Sequence, residues 1–291
     1  MPVDPSRVGT TVGPRTVDWT ERDCLLYALA VGAGQRDPLA ELAFTTENSE
    51  QVTQQVVPSF AVVLGFGEGI PEVGEYDPTR AVHAEQELLL TGPLPVRGRA
   101  RATTTVTDIW DKGRDAIVWT ETTLVEAETD LLLARCRTGA FLGGAGGFGG
   151  ERGSSPSWEL PDRAPDLEVT VSTRPEQALL YRLTGDRNPL HSDPAFAARG
   201  GFARPILHGL CTYGYTTRIL VNELADGDAG RLASVRGRFT RPVFPGDDLV
   251  IRAWRTGDDA EVLFRTTNSA GEPVLDRGVV GLRPGAPGGG R

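Results

Sequence analysis

The 291-residue sequence is poor in the side chains that most often hold metals or form cross-links. It has three histidines, three cysteines and a single lysine, Lys112. The cysteines (Cys24, Cys136 and Cys211) are scattered and odd in number, which argues against a disulfide framework or a zinc-thiolate site and fits a reducing cytoplasm. No histidine or cysteine spacing typical of a metal site occurs, so we expect no metal and no other cofactor.

Long apolar runs and an excess of basic residues are also missing. Runs such as 61–64 are too short to cross a bilayer, and the first residues lack the order of a secretion signal. The net charge of -9 and the pI near 5.0 argue against a nucleic-acid partner, which needs a basic face. The expected protein is soluble and cytoplasmic, without a membrane partner, and is long enough for two ordinary domains.

Two helix starts reveal an internal repeat. Thr20 and Thr173 are each followed three positions later by an acid, Asp23 and Glu176, which is the pattern of a capping box. Both segments continue as Leu-Leu-Tyr-x-Leu. The two halves are therefore expected to share one architecture.

Six stretches rich in β-branched and aromatic residues, separated by Asp/Gly turns, predict antiparallel strands. They lie at 102–107, 116–124, 130–137, 248–255, 260–267 and 273–282. Segment 208–225 is long enough for a central helix, and 58–65 is its expected counterpart in the first half. A Gly-rich run followed by Ser/Pro-rich sequence predicts a flexible crossover. These features divide the chain into an N-terminal unit (1–142), a linker (143–164) and a C-terminal unit (165–291).

The segment 181–191 reads Tyr-Arg-Leu-Thr-Gly-Asp-Arg-Asn-Pro-Leu-His and follows the second predicted helix. It places Asp186, Asn188 and His191 within six positions. Because Pro189 breaks a helix, the segment must be a shaped loop. A loop that presents a carboxylate and an imidazole together can activate a water molecule.

This segment, together with Pro-Ile-Leu-His-Gly-Leu at 205–210, resembles the signature of the R-specific (type 2) enoyl-CoA hydratases of the MaoC-like family. The resemblance implies an α+β fold, the double hot dog, in which two repeated units each wrap a curved antiparallel sheet around a central helix. It also implies hydration of a trans-2-enoyl-CoA to the (3R)-3-hydroxyacyl-CoA, or the reverse dehydration. The expected partner is an acyl-CoA substrate, and the expected assembly is a homodimer.

The resemblance assigns roles to the paired motifs. Asp186 and His191 would divide the acid/base work around one water, in an order that the sequence leaves open. Asn188 would orient the water or hold the geometry of the pair. The backbone N–H of Gly209, in the first turn of the predicted central helix, would stabilise the developing enolate.

Further matches suggest substrate-binding residues. The string His-Ala-Glu-Gln at 83–86 matches a family segment that contacts acyl-CoA, although Ala84 stands where relatives have glycine, which weakens this match. A turn at 111–113 and a strand segment at 238–246 supply two more candidates. The predicted substrate-binding residues are His83, Ala84, Lys112, Arg187, Pro189, Leu190 and Phe239.

The same comparison between halves indicates where the chemistry is absent. In the first half, Gly32 and Asp37 fall near the positions of Asp186 and His191. We therefore expect one catalytic half and one half that accommodates the acyl chain. Two alternatives stay open at this stage, a hot-dog thioesterase and a non-catalytic acyl-thioester-binding subunit. The sequence does not reveal the acyl group, or whether it is carried by CoA or by a carrier protein.

Overall fold

The computed structural model describes residues 3–66, 71–257 and 260–285. In chain order its strands are β1 (Thr11–Trp19), β2 (Ala81–Leu90), β3 (Gly98–Asp111), β4 (Ala116–Glu126), β5 (Leu132–Leu142), β6 (Leu167–Ser172), β7 (Leu232–Phe239), β8 (Asp248–Arg255), β9 (Glu261–Asn268) and β10 (Pro273–Leu282). Its α-helices are α1 (Glu21–Ala30), α2 (Leu42–Thr45), α3 (Phe60–Gly65), α4 (Gln177–Tyr181), α5 (Pro194–Arg199) and α6 (Gly209–Leu224). Within these ranges no helix is long and apolar enough to cross a membrane.

The strands form one ten-stranded sheet in the order β1-β3-β4-β5-β2-β7-β10-β9-β8-β6. Each neighbouring pair is antiparallel. Read from the outer edges inward, β1-β3-β4-β5-β2 and β6-β8-β9-β10-β7 have the same connectivity, and β2 pairs with β7 at the centre. The repeat seen in the sequence is therefore a repeat of topology, and the predicted double hot-dog fold is confirmed.

The two central helices differ greatly in size. Helix α6 has 16 residues, and most of them are buried, as expected for a helix that is apolar on nearly all sides. Its ends agree with the predicted segment 208–225 to within one residue. The first-half counterpart, α3, has only six residues. The first sheet therefore encloses much less helix than the second.

The capping prediction is correct for one helix start and wrong for the other. At α1, the carboxylate of Asp23 accepts a hydrogen bond from the backbone N–H of Thr20 at 2.8 Å. At α4, the hydroxyl of Thr173 instead donates to the carbonyl of Asp247 (2.9 Å), and the helix begins only at Gln177. The competing bond to the segment before β8 explains why no capping box forms there.

All six predicted strands are present, as β3 to β5 and β8 to β10. Four strands were not predicted: the edge strands β1 and β6, and β2 and β7 at the centre of the sheet. Strand β1 contains Pro14 and shifts register between Val12 and Arg15, which hides its alternating pattern. Proline has no N–H to donate and is therefore tolerated mainly in edge strands or at bulges. The position of β1 at the edge of the sheet explains why this segment forms a strand although its sequence does not predict one.

The crossover between the halves, residues 143–166, contains neither helix nor strand. Its glycine-rich start is held by the carboxylate of Asp111, which accepts the N–H groups of Gly147 (3.0 Å) and Gly149 (2.7 Å). Further along, the indole N–H of Trp158 donates to the carbonyl of Gly278 at 3.0 Å. The segment is thus fastened to β3 of the first half and β10 of the second.

A buried ion pair also joins the halves. Nη1 of Arg218, on α6, lies 2.6 Å from Oε1 of Glu41, and the two side chains are only 5% and 13% exposed. Asn222 donates to the same oxygen at 2.6 Å, and the N–H of Gly34 donates to Oε2 at 2.9 Å. The Arg218 Nε–H donates to the carbonyl of Val31 at 2.9 Å. The central helix is therefore tied to the first half by fully paired charges.

Candidate active site

The loop after α4 is shaped by its own side chains. The carboxylate of Asp186 accepts the N–H of Asn188 at 3.1 Å, and Oδ1 of Asn188 accepts the N–H of Leu190 at 3.0 Å. The second bond caps a single 3-10 turn, Pro189–His191, whose first residue is the proline. Of the two roles predicted for Asn188, the structure gives its oxygen the structural one, because it fixes the turn that carries His191.

The imidazole of His191 is held in a defined orientation. Its Nδ1 lies 2.9 Å from the carbonyl oxygen of Ile206, so Nδ1 carries the proton that is donated. In the neutral ring Nε2 then has a free lone pair. Burial lowers the pKa of His191, although the bond to Ile206 and the nearby Asp186 oppose this shift. The ring is therefore suited to accept a proton at neutral pH.

A second histidine, His208, belongs to the site but was not predicted as one of its residues. It is the N-cap residue of α6, and its Nε2 donates to the backbone carbonyl of Asp186 at 3.1 Å. Its ring stacks on that of His191 with centroids 3.7 Å apart. Burial, reinforced by the neighbouring His191, lowers the pKa of His208 to about 2. The neutral ring of His208 thus connects the loop to α6. In the sequence, the only indication of this role was that histidine is rare.

Asp186, His191 and His208 form a group whose possible ligand atoms lie within 4.8 Å of one another. Zinc sites need lone pairs that converge on one point about 2.0–2.2 Å from each nitrogen or oxygen. The two imidazole rings are stacked with an interplanar angle of 28°. The lone pair of an imidazole nitrogen lies in the plane of its ring, and two nearly parallel planes do not meet close to the rings. The arrangement therefore suits acid/base chemistry better than metal binding.

Gly209 supplies the first backbone amide of α6. The N–H groups of the first helical turn have no acceptor within the helix, and the positive end of the helix dipole favours negative charge there. A Cβ at this position would lie 3.2 Å from the ring of Phe239. Glycine therefore lets Phe239 pack tightly against the start of the helix while leaving the amide next to the catalytic loop.

One cavity of about 610 Å³ connects the loop to the first half. From the second half it is lined by Asp186, Asn188, Leu190, His191, Gly209 and Phe239. From the first half it is lined by residues on α3 and on the inner faces of β2 to β5, including Val62, His83, Thr104, Val118, Thr122, Cys136 and Leu142. Among the predicted site residues, the cavity thus brings together the four predicted catalytic residues and three of the predicted substrate-binding residues, His83, Leu190 and Phe239.

His83 lies within this cavity beside Phe239. Their rings meet edge to face with centroids 5.0 Å apart, and Nε2 of His83 lies 3.1 Å from the carbonyl oxygen of Glu85. Desolvation lowers the pKa of His83 to about 4, so the ring is neutral at physiological pH.

Four predicted substrate-binding residues do not line the cavity: Ala84, Lys112, Arg187 and Pro189. Ala84 lies at a register shift of β2, and Arg187 and Pro189 are exposed on the loop. The ammonium group of Lys112 donates to the carbonyl of Arg152 and lies 4.7 Å from the ring centroid of Trp110. Lys112 therefore holds the crossover segment, which explains its position away from the cavity.

The first-half counterparts of the catalytic pair are also outside the cavity. Asp37 is exposed and accepts the N–H of Leu39 at 2.9 Å. Gly32 is buried with a φ of +81°, and a Cβ there would come within 2.3 Å of the ring of Tyr215. Neither Gly32 nor Asp37 therefore places a side chain in the cavity.

Comparisons with known proteins match each half of the chain to a different family model. Residues 17–144 match the MFE-2 hydratase 2 N-terminal domain, and residues 157–273 match the MaoC-like domain. The chain is 46% identical to 3-hydroxyacyl-thioester dehydratase Y of Mycobacterium tuberculosis, over 96% of this chain and 98% of the relative. It is 42% identical to an enoyl-CoA hydratase of the same organism, over 96% and 97%.

A solved structure, a MaoC-like dehydratase from Phytophthora capsici, superposes with a TM-score of 0.87 at 30% identity and covers 97% of this chain and 98% of its own. The fold, the loop that carries Asp186 and His191, and the two family matches together define a double hot-dog protein of the MaoC-like class. Within that class, the chain belongs to the two-domain family of enoyl-CoA hydratases and 3-hydroxyacyl-thioester dehydratases.

Proposed function

We propose that the protein adds water to trans-2-enoyl-CoA thioesters to give (3R)-3-hydroxyacyl-CoA, and catalyses the reverse dehydration. One observation carries the proposal. Asp186, His191 and the first amide of α6, at Gly209, line a single cavity that extends into the first half. The relatives named above include an enoyl-CoA hydratase and a 3-hydroxyacyl-thioester dehydratase, which are the two directions of one reaction.

The chemistry follows from the geometry of these groups. A water molecule between the carboxylate of Asp186 and Nε2 of His191 loses a proton as its oxygen bonds to C3 of the substrate. A proton is delivered to C2, which consumes the electron pair of the double bond. The thioester oxygen gains negative charge during the reaction, and the N–H of Gly209 stabilises it there. The two side chains exchange protons as a coupled pair, and the step assigned to each stays open.

A comparison of the corresponding strands β4 and β9 supports placing the acyl chain in the first half. Thr122 on β4 and Thr266 on β9 are both buried threonines of these strands. Thr266 lies opposite Ile251 and Leu275, which are large and fully buried. Thr122 lies opposite the smaller Thr104 and Cys136. Smaller side chains, facing a shorter central helix, leave the space that the second half fills with its own core.

Spectrophotometry tests this proposal directly. We expect the purified protein to remove the absorbance of the conjugated thioester when mixed with crotonyl-CoA or a longer trans-2-enoyl-CoA. The rate should be unchanged by EDTA, because no step needs a metal. Activity that EDTA abolishes and zinc restores would contradict the acid/base account. Release of free CoA thiol, without formation of a hydroxyacyl thioester, would indicate a thioesterase instead.

The homodimer and the cytoplasmic location inferred from the sequence belong to the same proposal. The catalytic residues and the cavity lie within one chain, so association with a second copy is not needed to complete the site. Light scattering on the purified protein tests the dimer. Microscopy of a fluorescent fusion in the native cell tests the location.

A further inference from the structure

We infer that the acyl pocket recognises an oxygen substituent on the distal part of the acyl group, so that the preferred substrates are oxygenated rather than plain alkyl chains. The inference rests on the proposed function and specifies its substrate class. It comes from a strip of hydroxyl groups on the inner face of the first sheet. The members of this threonine strip are Thr104, Thr120, Thr122 and Thr138, and all four line the cavity.

The strip is continuous because of strand register. Thr104 on β3 lies opposite Thr122 on β4, and Thr120 on β4 lies opposite Thr138 on β5. Thr120 and Thr122 are two residues apart on one strand and therefore face the same side of the sheet. The four hydroxyls thus form one polar patch across three strands. It lies among apolar lining residues such as Val62, Val118 and Leu142.

Hydrogen bonding within the first sheet leaves part of this patch unsatisfied. The hydroxyls of Thr104 and Thr122 are 2.8 Å apart, so one donates to the other and one proton of the pair is left over. The hydroxyl of Thr138 donates to Oε1 of Gln86 at 3.0 Å, which leaves its lone pairs available. Thr120 makes no side-chain hydrogen bond to any described residue. The strip therefore offers both donors and acceptors to a ligand.

The second half shows that hydroxyls are not required by the fold at these places. On the corresponding strands of the second sheet, β8 and β9, the apolar Ile251 and Phe264 are fully buried. A hydroxyl shielded from water without a partner costs about 1–3 kcal/mol, so an apolar pocket for a plain alkyl chain would be better lined by valine. Threonine and valine have nearly the same shape and differ only in that threonine has a hydroxyl where valine has a methyl group. An oxygen atom on the acyl group would satisfy the strip.

Competing substrates test the inference. Values of kcat/KM are measured for trans-2-decenoyl-CoA and for a series of the same chain length that carries one keto or one hydroxyl group at successive distal carbons. We expect at least one oxygenated compound to exceed the plain chain by roughly tenfold, the effect of one well-placed hydrogen bond. The Thr120→Val and Thr122→Val variants should each remove most of that preference. For each variant, kcat/KM for the oxygenated and the plain substrate is measured on the same preparation. Their ratio therefore does not depend on the fraction of folded protein.

Thr123→Val is the matched control, because Thr123 is the next residue of β4 and faces the other side of the sheet. It should leave the ratio unchanged. A wild-type protein that hydrates the plain chain at least as well as every oxygenated analogue would overturn the inference. So would a preference that survives both valine substitutions. Failure of the wild type to hydrate any enoyl-CoA, crotonyl-CoA included, would instead contradict the proposed function.

Discussion

Substitution of alanine for Asp186 or His191 is expected to lower kcat for enoyl-CoA hydration by about 10²–10⁴-fold, the usual contribution of a positioned acid or base. Asp186 lies on a loop, and the ring of His191 is held by its bond to Ile206 and by stacking on His208. The variants should therefore fold. The double variant should lose little more than either single one, because residues that act as a unit are not additive.

The repeated fold provides a matched control for this experiment. Asp37→Asn changes a carboxylate in the first-half counterpart of the loop, outside the cavity. It should leave kcat and KM unchanged. Near-normal turnover by either alanine variant would remove that residue from the acid/base pair. Fully additive losses in the double variant would show that Asp186 and His191 act independently.

The second large effect concerns stability. Glu41→Ala should lower the free energy of unfolding by about 3–5 kcal/mol, because it leaves the charge of Arg218 buried without its partner. The side chain of Arg218 is 5% exposed, and its Nη1 lies 2.6 Å from Oε1 of Glu41. Urea denaturation followed by circular dichroism measures the change.

Two further variants separate this charge effect from a general packing defect. The double variant Glu41→Ala, Arg218→Met removes the stranded charge and should recover part of the loss. Asp18→Ala breaks an ion pair with Arg99 in which both side chains are mostly exposed, and it should change the urea midpoint little. If Glu41→Ala were no worse than Asp18→Ala, the ion pair would not hold the halves together.

Much of the fold could be predicted because the repeat and the strands are local signals. The six predicted strands, β3 to β5 and β8 to β10, alternate or carry β-branched residues, and α6 is long, so short windows of sequence are sufficient to find them. The edge strands β1 and β6 escaped because they pair on one side only, and Pro14 interrupts the first of them. The central pairing of β2 with β7 joins residues about 150 positions apart, as in Glu85 with Arg238, and no local rule reports it.

The site could be predicted only as far as its motifs reach. The loop and Gly209 were found because they form recognisable strings. The role of His208 depends on a bond to the backbone of Asp186, across 22 positions, that only the folded chain reveals. Lys112 attracted a functional interpretation because lysine is rare in the sequence. In the structure its ammonium group contacts the crossover, and its role in substrate binding stays a prediction. The threonine strip is invisible in sequence because threonine is an ordinary strand residue.

The stereochemistry of the product tests the central claim most directly. The proposed Asp186/His191 site adds water to one face of the double bond of trans-2-enoyl-CoA thioesters and therefore gives one enantiomer. After incubation with crotonyl-CoA, the 3-hydroxyacyl product is hydrolysed and its enantiomers are separated by chiral chromatography. The predicted result is the (3R) enantiomer, lost together with activity in the Asp186→Ala variant. Formation of the (3S) enantiomer, or of a racemic mixture, would contradict the account.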